Sequence, residues 1–210
     1  MRLRPDVLIF TVLLAGSAWV VWSQVGPDAS VATAATRVPI GSAGADFELK
    51  DISEQSRTLA SLKGPKATVL YFWSVDCPCT EVVEMRIKMA MEQYEPLGVS
   101  FVAIDAHPED ATPDVIEKMA KLHAPYRMLL DPTSNVARQY GVTGATDLIV
   151  LDAEGRIRYR GAPDDDLMKP TTNHLHAALD AVLQGRKPVP SETRSYGCPF
   201  PGFEGECTFP

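Results

Sequence analysis

The chain has 210 residues, 45% of them hydrophobic, and a formal net charge of −7 with no basic block. That is enough chain to bury a proper core in one domain. A nucleic-acid partner is excluded because it would require clustered Lys and Arg, and the dispersed charges are those of an ordinary solvated surface.

Arg2 and Arg4 precede an apolar run over residues 7–22, and small and polar residues follow. This is the form of an export signal. At about 16 residues the run lies between a signal core and a span of roughly 20, so it reads as an uncleaved membrane anchor, with a cleaved signal as the alternative. The basic N-terminus places the rest of the chain on the outer, periplasmic side of the cytoplasmic membrane. Residues 1–22 are thus a signal or anchor and 23–37 an Ala, Ser, Thr and Val-rich linker.

Residues 46–49 alternate as a short strand, and 57–64 read as a brief strand or turn ended by Gly64. Residues 67–74 form an apolar, partly β-branched central strand, and 79–95 a helix ended near Pro96 and Gly98. A second buried strand covers 99–105. Thr112 as capping residue and Pro113 as first helical residue open a helix running to about His123. A short strand at 127–130, a helical turn at 135–140 stopped by Gly141, and a hairpin of 147–152 with 156–160 follow. The last helix covers 171–184, and Asp164, Asp165 and Asp166 before it read as a solvated loop. Strands separated by helices, closed by an antiparallel hairpin, predict an α/β fold with a central mixed sheet flanked by helices over residues 38–184. The tail 185–210 is rich in Pro and Gly and has little periodicity.

Cys77, Pro78 and Cys79 sit at the strand-to-helix turn. A thiol at a helix N-terminus faces unsatisfied N–H groups and the positive end of the helix dipole, which favour the thiolate and make it a nucleophile or metal ligand. The other cysteines, Cys198 and Cys207, lie in the tail. In an oxidising compartment eight intervening residues allow them a structural disulfide that staples the tail. In the sharper reading Cys198 acts on Cys77.

With Phe72 and Trp73 ahead of Cys77-Pro78-Cys79, the segment 140–144 (YGVTG) and the segment 148–157 (LIVLDAEGRI), the chain resembles the thioredoxin-like superfamily, in its redoxin branch of AhpC/TSA and TlpA-type proteins. The likeness covers about residues 38–184. It implies a thioredoxin-like fold and a thiol-disulfide oxidoreductase in which Cys77 attacks and Cys79, or Cys198, resolves. It also implies a protein thiol or disulfide substrate, a reducing partner protein and no organic cofactor. Trp73, Ser74, Pro78 and Thr146 would line the site. Three departures stand out: one residue rather than two between the cysteines, Thr146 where thioredoxins carry a cis-proline, and Tyr71 where they carry a buried acid, with Asp76 in place of the usual tryptophan.

A peroxiredoxin-type peroxidase is the first alternative. Ser74 supplies its hydroxyl three residues before Cys77, but Leu70 stands where its proline would be. A copper(I)-binding chaperone is the second, with Cys77 and Cys79 joined by His107, His123, His174 or His176.

Overall fold

The computed structural model describes residues 38–203. The apolar N-terminal run, the linker and Cys207 lie outside the described residues. In chain order the elements are β1 (Glu48–Asp51), β2 (Ser56–Thr58), α1 (Leu59–Leu62), β3 (Ala67–Trp73), α2 (Pro78–Tyr94), β4 (Val99–Asp105), α3 (Thr112–Leu122), β5 (Arg127–Leu130), α4 (Asn135–Tyr140), β6 (Leu148–Asp152), β7 (Ile157–Gly161) and α5 (His174–Leu183).

The seven strands form one mixed sheet in the order β2-β1-β5-β4-β3-β6-β7. β3, β4 and β5 are parallel, whereas β1, β2, β6 and β7 pair antiparallel with their neighbours. Every residue of β3 is buried. A strand covered on both faces reads as an unbroken apolar run, as residues 67–73 do. Side chains alternate along it: Tyr71 meets Tyr126 edge to face, while Phe72 turns the other way onto Tyr140 of α4. On the Tyr71 face, α2 is tied to α3 by Lys118–Glu81 and to α5 by the Tyr94 hydroxyl on Asp180.

Several boundaries differ from expectation, each for a local reason. Residues 57–64 split into β2 and the short helix α1, because Thr58 and Ser61 form a reciprocal capping box. Thr112 is the first helical residue of α3 and not its cap. Ala111 holds the cap position with no side-chain hydrogen bond. The last helix starts at His174, because the N–H groups of Thr171 and Thr172 donate to the Asp165 carboxylate and Asn173 caps α5.

As far as Phe203 the tail is docked on the domain and is not a loose segment. Residues 191–193 run along the edge strand β7, with Arg160 N–H donating to Ser191 O and Thr193 N–H to Arg160 O. Further on, Gly144 and Pro199 form an antiparallel bridge, Ala145 N–H donates to Cys198 O, and Phe200 N–H donates to Thr143 O. Backbone pairing of this kind satisfies an exposed edge and requires no side-chain periodicity. Phe200 is 1% exposed and meets Phe203 edge to face.

Candidate active site

β3 ends at Trp73, and the chain turns through Ser74, Val75 and Asp76 into α2. Asp110, beyond β4, fixes this turn by accepting the Val75 N–H at 2.6 Å. Pro78 is the first residue of α2. Its φ suits a helix start, it has no N–H to satisfy, and it holds the preceding residue extended. Cys77 is therefore the N-cap, at φ −78° and ψ 113°, and Cys79 is the second helical residue.

Residues two apart on a helix do not share a face. Because Cys77 has left helical geometry, its sulfur nevertheless comes near that of Cys79, and the tail supplies a third. The sulfur atoms of Cys77, Cys79 and Cys198 all lie within 4.8 Å of one another. The Cys198 N–H donates to Cys77 Sγ at 3.4 Å, and the Cys79 thiol donates to Tyr196 O at 3.7 Å. Cys77 and Cys79 are buried, while Cys198 is half-buried.

Two glycines make this approach of two backbones feasible. A Cβ on Gly197 would lie 1.5 Å from the Ala145 carbonyl oxygen, and one on Gly144 would lie 2.4 Å from that of Cys198. Thr146 follows directly. It is wholly buried, donates its N–H to Phe72 O at 2.8 Å, and has φ +75°. A β-branched residue there is strained. Its peptide bond is trans, the cis bond among the described residues being Val189–Pro190.

Tyr196 anchors the tail. Its hydroxyl donates to Asp164 Oδ1 at 2.9 Å, and Asp164 Oδ2 pairs with Arg86 of α2 at 2.7 Å. Arg86 also donates to Leu167 O. Burial, then the Asp164 charge, pushes the Tyr196 hydroxyl well above its ordinary range, so it remains a neutral donor. Asp164 is thus a buried tether, 2% exposed, and not part of a solvated loop. Asp165 and Asp166 next to it do face solvent.

Trp73 is wholly buried, which makes it core rather than an open wall. Ser74 is buried and accepts at its carbonyl from Thr80 Oγ1. Pro78 and Asp76 are exposed. Beneath the site, Tyr126 donates to Glu84 Oε2 at 2.8 Å, and burial raises the Glu84 carboxyl. No histidine belongs to the sulfur cluster among the described residues. His107 lies 3.3 Å from Asp110, His176 packs on Tyr94, His123 ends α3 and His174 opens α5. The cysteine-plus-histidine ligand set is therefore not formed.

Arg86, Asp164 and Tyr196 escaped the sequence reading, and so did Glu84. Glu84 carried a signal, since Thr80, Glu84, Ile87 and Met91 fall on one helix face at the i, i+4, i+7 spacing of a buried stripe.

The profile of the AhpC/TSA family matches residues 40–160. The thiol-disulfide oxidoreductase ResA of Halalkalibacterium halodurans is 26% identical over 149 residues, which is 71% of this chain and 80% of that protein. An uncharacterised conserved protein from Geobacillus kaustophilus superposes with a TM-score of 0.71 at 30% identity, over 81% of this chain and 96% of that one. A hypothetical protein from Sinorhizobium meliloti 1021 gives 0.70 at 28%, over 80% and 97%. A DsbE-type thiol:disulfide interchange protein from Chlorobium tepidum superposes with a TM-score of 0.58 at 19% identity, over 70% of this chain and 99% of that one. With the seven-stranded mixed sheet, this neighbour shows a thioredoxin-like fold.

Proposed function

The chain belongs to the AhpC/TSA family, and on that premise we propose that it is an extracytoplasmic thiol-disulfide oxidoreductase with Cys77 as nucleophile and Cys198 as the resolving thiol. The observation that carries this reading is the position of Cys198. Its N–H donates to Cys77 Sγ, and its own sulfur lies within 4.8 Å of that atom.

The Cys77 thiolate attacks one sulfur of a substrate disulfide. A Cys77–substrate disulfide forms, and the other substrate sulfur leaves as a thiolate. The Cys198 thiolate then attacks Cys77 Sγ and releases the second substrate thiol. The substrate has gained two electrons, and the chain holds a Cys77–Cys198 disulfide that a partner dithiol reduces. Cys79 is the other thiol within reach of Cys77. A bridge across the single residue Pro78 closes a strained ring, whereas Cys198 comes from a separate segment and has no such constraint.

Cys77 is 2% exposed beneath the tail. A protein disulfide reaches it only when residues 196–200 lift away, so the tail also gates the site. The apolar run over 7–22 behind Arg2 and Arg4 supports tethering to the outer side of a membrane. Protease digestion of the domain in intact spheroplasts checks this location, and protection would overturn it.

The function is tested by insulin reduction with peptide mapping under non-reducing conditions. The wild type is expected to accelerate reduction, Cys77→Ser to abolish it, and Cys198→Ser to accumulate a mixed disulfide on Cys77. Full activity in Cys77→Ser overturns the assignment. Consumption of hydrogen peroxide through a Cys77 sulfenate, without insulin reduction, would make the chain a peroxidase instead.

A further inference from the structure

Three thiols from two distant segments meet at one point, and disulfide exchange uses them two at a time. Beyond that exchange, we propose that the fully reduced chain binds one thiophilic d10 cation, copper(I), through the thiolates of Cys77, Cys79 and Cys198.

A planar three-coordinate site with metal–sulfur bonds of about 2.3 Å has its sulfurs about 4.0 Å apart. The sulfurs here already lie within 4.8 Å of one another, so small side-chain torsions close the triangle. The donor set selects the ion. Thiolates favour soft metals over magnesium, calcium and manganese, which take oxygen ligands. Structural zinc closes a tetrahedron with four protein ligands, and no His, Asp, Glu or further Cys joins the three sulfurs among the described residues. Three sulfurs with no fourth donor among the described residues suit a low-coordinate monovalent ion. Cys77 and Cys79 are 2% and 0% exposed, which keeps water from the open position.

Binding breaks three S–H bonds, releases three protons to solvent and forms three copper–sulfur bonds, with no electron transferred. The site passes from neutral to a net charge of −2. The positive end of α2, which begins at Cys77, and the Cys198 N–H on Cys77 Sγ offset part of that charge. A disulfide between any two of the three removes the site, so metal binding and the oxidised state exclude each other.

The test is titration of the reduced full-length chain with copper(I) under anaerobic conditions, in competition with the chromophoric chelator bicinchoninate. One equivalent is expected to be retained. Cys77→Ser, Cys79→Ser and Cys198→Ser should each weaken binding tenfold or more, and Cys207→Ser should leave it unchanged. Copper K-edge absorption of the loaded wild type should show sulfur neighbours only. Loss of all copper to the chelator overturns the proposal, as does wild-type affinity in Cys198→Ser, weakened binding in Cys207→Ser, or a nitrogen or oxygen neighbour. Insulin reduction is measured on metal-free chain, so exchange activity without copper retention overturns this inference alone.

Discussion

The main-chain N–H of Cys198 donates to the sulfur of Cys77 at 3.4 Å, joining positions 121 apart in the chain. Whatever holds the tail in place therefore sets both the exposure of Cys77 and the hydrogen-bond donor at its sulfur.

Replacing Tyr196 by Phe removes the hydroxyl donor to Asp164 Oδ1 and leaves that buried carboxylate one hydrogen bond short. A hydrogen bond to a charged group contributes about 1.5–3 kcal/mol, and here that energy belongs to tail docking. Cys77 in Tyr196→Phe should react with iodoacetamide at least about tenfold faster than in the wild type, with the global melting temperature much less affected. Equal alkylation rates would show that the Tyr196–Asp164 contact does not hold the tail.

The backbone approach at Gly197 leaves no space for a methyl group. With a Cβ placed 1.5 Å from Ala145 O, Gly197→Ala must push residues 196–200 off the 143–145 segment. The expected result is a fully alkylatable Cys77 and a loss of mixed-disulfide resolution. A crystal structure of Gly197→Ala with the Ala145–Cys198 hydrogen bond intact would contradict this.

Thr146 stands where thioredoxins carry a cis-proline, yet proline does not fit here. Its ring requires φ near −65°, and the observed value is +75°. It would also delete the N–H that donates to Phe72 O. Thr146→Pro should destabilise the chain by about 3 kcal/mol or more, a fall of roughly 10 °C in Tm for a domain of this size. A Tm within two or three degrees of wild type would mean that the loop rearranges.

Asp105 closes β4 and is 3% exposed. Burial, and then the neighbouring Asp110 charge, pushes its carboxyl up to about 8. The folded-state value lies above the unfolded one. The stability this group contributes is full below about pH 4 and is lost as pH rises through about 8. Each pH unit in that window costs up to about 1.4 kcal/mol for one proton. Asp105→Asn keeps the acceptor for the His107 N–H and has no proton to lose, so its denaturant midpoint should vary less between pH 5 and pH 8. Parallel profiles for the two proteins would refute this role.

The sequence by itself determined the features that depend on near neighbours. The buried run of β3, the turn at Cys77-Pro78-Cys79, the helix behind it and the β6–β7 hairpin are written as apolar periodicity and turn residues within short windows. From these follow the mixed sheet and the placing of two thiols at a helix start. Only the tertiary structure decided where the tail goes. Residues 191–200 dock through main-chain hydrogen bonds, which constrain few side chains beyond the two glycines at 144 and 197, so no periodic pattern announces them. It also decided which polar groups are buried: Asp164 is adjacent to two exposed aspartates and differs from them only because Arg86 and Tyr196, 78 and 32 positions away, converge on it. The third sulfur came to the site in the same way, by a pairing between distant segments whose energy no local window contains.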